Sequence, residues 1–171
     1  GTAPVAMQLS SDVVYQHCMA ARALIGEAEG PSSLSGFLLL AHSNSVFDSV
    51  AVGNQGTSTS AGFTWPEHAQ GLGWVNTGNV SHNNRARGVY IWQNTQNPHL
   101  VETMTTFRNG QGGITNGAYT NNYHHKGNVS FENSGSGDLR DFVGAAAASN
   151  HNAPNYTQVV QECWFGDMTI A

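Results

Sequence analysis

From Phe63 onward the sequence breaks itself into short pieces, and this punctuation limits what the chain can fold into more than any other feature. GVYIWQ (88–93) and HLVETMTTF (99–107) are rich in β-branched and aromatic residues, and Pro98 stands between them. Asn109-Gly110 and Asn116-Gly117 are dipeptides of the kind that closes hairpins. TQVVQECWF (157–165) reads as a last strand. Such a region predicts a mostly antiparallel sheet with tight turns.

The N-terminal third reads differently. In SDVVYQHCMAARALIGEAE (11–29), Val14, Cys18, Ala21, Ile25 and Ala28 recur at helical spacing, Ser10 or Ser11 can cap, and Gly30-Pro31 is a stop. An amphipathic helix is expected there, and a short second helix over DLRDFVGAAAA (138–148). GFLLLA (36–41) and SVFDSVAV (45–52) are short buried segments, the latter a strand. No linker divides the chain, so residues 1–171 are expected to form one domain of α+β class, with an all-β sandwich as the alternative.

Gly-Asn-Val-Ser occurs twice, at 78–81 and 127–130. A solenoid needs about three copies, and two are visible. The doubling is therefore read as two similar turns, each leading into a strand with Val80 or Val129 pointing inward. The same asparagines fit the Asn-x-Ser/Thr pattern, as does Asn155. Asn79, Asn128 and Asn155 are thus glycosylation candidates, although 17 asparagines make about three such matches by composition alone.

Charge narrows the functional classes. Only 10% of residues are charged, the net charge is −5, and Lys126 is the single lysine. The cations are scattered, so the patch that displaces counterions from nucleic acid is absent. No apolar run is long enough to span a bilayer as a helix. The amide-rich, charge-poor composition points to an extracellular protein, and the opening Gly-Thr-Ala-Pro fits either a mature terminus left by cleavage or a Met-trimmed start. Cys18 and Cys163 are far apart and form no Cys-x-x-Cys; a disulfide between the first helix and the last strand is expected, with two buried thiols as the alternative.

Aromatic residues set among amides suit a neutral sugar: the ring covers the C–H face and amides bond the hydroxyls. The candidate contacts are Trp65, Trp74, Asn79, Asn83, Asn84, Tyr123 and His124. Trp92 and Trp164, inside strand patterns, read as core. Eight histidines occur, but no His-x-His or His-Glu-x-x-His, and no metal or cofactor is expected. AARALIGEAEG (20–30) resembles the glutamate-bearing helix of bacterial cell-wall hydrolases of the spore-cortex type. The resemblance implies Glu27 as a general acid; the segment that follows, FLLLAHSNSVFD, departs from that pattern. The expected function is secreted, lectin-like recognition of neutral glycans on a cell or wall surface. The alternatives are a self-assembling subunit of an extracellular filament or shell, and a cell-wall glycan hydrolase using Glu27.

Overall fold

The computed structural model describes residues 5–7, 12–23, 34–39, 44–57, 60–65, 75–91, 98–116, 122–135, 138–144 and 157–170. They coil into stacked turns, or rungs, each built from three short strands. The first rung holds β1 (Val5–Met7), β2 (Val14–Gln16) and β3 (Met19–Ala21). The second holds β4 (Phe37–Leu39), β5 (Ser45–Phe47) and β6 (Val50–Val52), and the third β7 (Ala61–Trp65), β8 (Val75–Thr77) and β9 (Val80–His82). The fourth holds β10 (Arg87–Ile91), β11 (Pro98–Glu102) and β12 (Thr105–Phe107). The fifth holds β13 (Gly112–Asn116), β14 (Asn122–Lys126) and β15 (Val129–Phe131), followed by a small antiparallel pair, β16 (Ser134–Gly135) and β17 (Asp138–Leu139). The sixth holds β18 (Phe142–Gly144), β19 (Thr157–Gln161) and β20 (Trp164–Phe165), and β21 (Met168–Ile170) opens a seventh.

Each strand pairs in parallel with the corresponding strand one rung away. The result is three parallel sheets: A of seven strands beginning with β1, and B and C of six, beginning with β2 and β3. This is a parallel β-helix, a solenoid whose rungs repeat about every 4.8 Å.

The sequence makes this coil through a stepped alternation. In the first rung the residues facing inward are Val13, Tyr15, Cys18, Ala20 and Ala23, spaced two, three, two, three. In the second they are Asn44, Val46, Ser49, Ala51 and Asn54. A strand alternates sides every residue. One residue in the left-handed region then turns the corner and shifts the phase by one. His17, Asp48, Gly78, Thr103, Gly127 and Glu162 occupy that position between sheets B and C. Arg22, Gly53, Asn83, Arg108 and Glu132 occupy it between C and A. All eleven have φ between 46° and 69°.

The core follows from a division of sizes. Sheet A supplies bulk through Phe37, Phe63, Val89, Ile114 and Phe142. Sheet C faces it with small residues: Ala20, Ala51, Ser81, Thr106 and Ser130 are all buried. Large against small lets the prism close without voids.

Several expectations are corrected. Among the described residues there is no helix, and the sheets are parallel, so neither the α+β class nor the antiparallel sheet holds. Residues 12–23 of the expected first helix form β2, a corner and β3; the two-three spacing of their inward residues mimics helical spacing over a short window. Phe142–Gly144, expected in the second helix, is a central strand of sheet A. Asn109-Gly110 turns the chain from sheet C to sheet A, not through a hairpin. Val80 and Val129 face outward, and Ser81 and Ser130 face the core. The doubled Gly-Asn-Val-Ser is a true repeat: a left-handed Gly, a buried Asn, an outward Val, a buried Ser.

Candidate functional site

The corners decide which side chains are structural and which are free for other work. Asn54, Asn84, Asn109 and Asn133 stack one above another inside the corner between sheets C and A. The side-chain oxygen of Asn84 accepts from the backbone N–H of Asn54 (3.1 Å) and from its amide (2.6 Å). Asn109 does the same for Asn84, and Asn133 for Asn109. The buried Asp141 carboxylate ends the ladder, accepting from the Asn133 backbone (2.9 Å) and amide (2.7 Å). Each rung therefore gains satisfied polar groups at a place where the backbone leaves its ladder.

A second column lines the corner between sheets B and C: Cys18, Ser49, Asn79, Met104, Asn128 and Cys163. Asn79 accepts from the Ser49 backbone (2.8 Å) and donates to Val46 O (2.8 Å); Asn128 accepts from Met104 N (2.9 Å) and donates to Val101 O (2.8 Å). Cys18 and Cys163 are both free thiols. They share a column but sit five rungs apart, on the order of 24 Å, far beyond disulfide reach. The expected bridge is replaced by two half-buried thiols.

Among the described residues His125 is the one fully buried ionisable ring. Burial, with the neighbouring His124 adding to it, pushes its pKa down to about 3, so the ring is neutral. The amide nitrogen of Asn128 lies 3.4 Å from Nδ1, the amide of Asn116 lies 3.0 Å from Nε2, and Phe142 packs edge-on at 5.2 Å. A neutral ring has one donor and one acceptor. With Nδ1 accepting from Asn128, Nε2–H is left to donate. Turning the Asn116 amide so that its oxygen faces Nε2 completes that bond and gives the otherwise unpartnered Asn116 oxygen a donor.

The outside of sheet C carries an aromatic column that the sequence reading missed. His82 stacks on Phe107 at 4.7 Å, Phe107 stacks on Phe131 at 5.2 Å, and Trp164 tilts against Phe131 at 6.3 Å. The rings spend their faces on each other, so they offer edges to solvent. The signal for the first three was present in the sequence: each ring immediately precedes a left-handed corner residue.

The predicted contacts divide between these places. Asn79 and Asn84 are buried ladder residues with both ends of their amides bonded, as is the glycosylation candidate Asn128. Asn83 is exposed at the corner between C and A. His124 is half-buried on the outside of sheet B, 3.1 Å from the Gln161 side-chain oxygen. Trp65 ends β7 in register with Ile91, and Tyr123 lies in β14 in register with His99 and Gln158. Trp74, Asn155 and Glu27 lie outside the described residues. His82 and His124 lie on different outer faces and His125 inside. Among the described residues no group of three His, Cys, Asp or Glu is placed to hold a metal ion.

The three corners differ in one respect. Passage from sheet B through C to the start of the following corner takes the same short form in every rung. Passage from C to A varies, from 166–167 between β20 and β21 to 22–36 between β3 and β4, and so does passage from A to B: β7 ends at Trp65 and β8 begins at Val75, β10 and β11 are separated by 92–97, β13 and β14 by 117–121, and β18 and β19 by 145–156. Between those fixed ends the sequence holds Trp74, Trp92, Tyr119, His151 and Tyr156, with Asn94, Asn97, Asn121 and Asn152. Among the described residues no helix is long and apolar enough to cross a membrane. Compared with protein-family models, curated proteins and solved structures, the chain matches none.

Proposed function

We propose that the protein is an extracellular carbohydrate-recognition protein that binds a neutral glycan along the corner between sheets A and B. The observation that carries this reading is the placement of the variable segments. Four of them, each bearing aromatic rings, open and close at that corner, on a scaffold whose corner between B and C keeps one two-residue form in every rung. Variable loops on a rigid frame are where binding residues concentrate. Rungs about 4.8 Å apart set the fixed ends of successive segments in a row, which suits an extended polymer better than a compact ligand. The segments combine aromatic rings with amides and carry few charges, which suits hydroxyl-rich, uncharged sugars.

Within this reading Trp74 and His124 remain contacts. Trp65 and Tyr123 hold strand positions of the same parity as the buried Phe63 and His125 and are not assigned to the glycan. Asn79 and Asn84 serve the frame, and Asn83 lies at a different corner. A microarray of neutral glycans that includes cell-wall fragments tests it. Trp74→Ala and His124→Ala should each remove binding, and Asn83→Ala should leave it intact. Unchanged affinity in the first two variants would take the site away from this corner.

A further inference from the structure

We propose that the outer face of sheet C is a self-association surface on which a second copy of this chain packs face to face, with the two solenoids antiparallel. The face is unusual for its lack of charge. Its two outward columns run Met19, Val50, Val80, Thr105, Val129, Trp164 and, beside them, Ala21, Val52, His82, Phe107, Phe131. None of these is Asp, Glu, Lys or Arg, whereas the outward positions of sheet B include Glu102 and Lys126. Met19 is 71% exposed, Trp164 57% and Val129 36%. A parallel sheet ordinarily has both faces covered.

The occupant is argued from complementarity. A two-fold axis along the strand direction, midway between β9 and β12, sets each column opposite itself with the rung order reversed. The first rung then meets the sixth, so the exposed Met19 lies against the exposed Trp164. Val50 meets Val129, and Val80 meets Thr105. In the second column Val52 meets Phe131 and His82 meets Phe107.

The corner residues that border the face match as well. Arg22 in the first rung lies opposite Asp167, which is in step with Glu132 one rung higher in the sixth. Within one chain the same corner already pairs opposite charges one rung apart, with Arg108 Nε 2.8 Å from the Glu132 carboxylate. The other face-to-face arrangement, with both solenoids pointing the same way, sets Glu162 against Asp167. Like-charge opposition of this kind selects the antiparallel pair. Six rungs by three residues give a face on the order of 300 Å² on each partner, about 600 Å² in all, well under the roughly 1,200 Å² of stable complexes, so the association is weak and concentration-dependent.

Sedimentation velocity of the 171-residue chain over a concentration series tests the proposal. The expected result is a reversible monomer–dimer equilibrium that weakens with salt. Val80→Lys and Val129→Lys place an unpaired charge in the interface and should weaken association on the order of a hundred-fold. Circular dichroism checks that they fold. If they do not, the exposed corner decides: Arg22→Asp should weaken the dimer, and Arg22→Asp with Asp167→Arg should restore it. A protein that stays monomeric at every concentration overturns the proposal. So does a dimer insensitive to these changes, or a monomer in which Val80→Lys abolishes glycan binding.

Discussion

Asn109→Ala should be among the most damaging single substitutions in the frame. The Asn109 oxygen accepts from the Asn84 backbone at 3.2 Å and from the Asn84 amide at 2.8 Å. Its amide nitrogen donates to Ser81 O at 3.1 Å and to the Asn133 oxygen at 2.8 Å. Asn109 is fully buried, so water does not replace these four bonds. At about 1 kcal/mol net for each bond, with a further 1 kcal/mol or so for a backbone donor left unpartnered at Asn84, the loss is about 3–5 kcal/mol. That is a large fraction of the roughly 5–15 kcal/mol that holds a domain together. Urea unfolding followed by far-ultraviolet circular dichroism measures it, with Asn83→Ala as the control, since Asn83 is exposed one residue before the ladder. Asn109→Asp adds a sharper comparison. It keeps the shape, loses both donated bonds and buries a charge, so at neutral pH it should be no better than alanine, and it should recover as the pH falls. A cost for Asn109→Ala below about 1 kcal/mol, no larger than that of Asn83→Ala, would refute the claim that the ladder holds the rungs in register.

Gly88→Ala should destabilise by about 1–3 kcal/mol in the same assay, because a Cβ there would stand 2.7 Å from Gly113 O and 2.8 Å from the Asn109 amide nitrogen. Reducing agent should leave the unfolding midpoint unchanged, and both Cys18 and Cys163 should react with a thiol reagent in the folded protein; a midpoint that drops on reduction would contradict the free thiols. Acid should destabilise the protein through His125. Its folded pKa is about 3 and the unfolded ring takes up a proton near 6.5, so the unfolded state binds more protons between those values. Stability is full above about pH 6.5 and falls by up to about 1.4 kcal/mol per pH unit below it, levelling off near pH 3. His125→Gln should flatten that part of the profile, and an unchanged slope would contradict the assignment.

The repeat was present in the sequence but hidden by its own insertions. The column Cys18, Ser49, Asn79, Met104, Asn128, Cys163 advances by 31, 30, 25, 24 and 35 residues. No fixed period survives, because the passages from sheet A to B and from sheet C to A both differ in length. Identity is no better a guide than spacing. What recurs is a class at each step: left-handed, buried, outward, buried small, outward, left-handed, buried. Gly-Asn-Val-Ser is conspicuous only because two rungs fill those classes with the same letters. Thr103-Met104-Thr105-Thr106 fills them differently and closes the same corner.

That masking also bears on how the site could be read. Asn79, Asn84 and Asn128 resemble ligand-binding amides by composition, since composition cannot say which side of a three-residue strand an amide faces. The corner settles it: an asparagine one residue after a left-handed position lies inside, and one occupying that position, such as Asn83, lies outside. Once the frame claims the ladder asparagines, the amide content no longer argues for a sugar site by itself. The case for recognition then rests on the amides and rings that the frame does not use. Those lie between the fixed ends at Trp65 and Val75, Ile91 and Pro98, Asn116 and Asn122, and Gly144 and Thr157, all at one corner. The same division of labour explains how the frame tolerates those segments. The asparagine ladder fixes register where the chain leaves sheet C, and the uniform corner between B and C fixes it again, so the segments between A and B can vary in length without shifting a single rung.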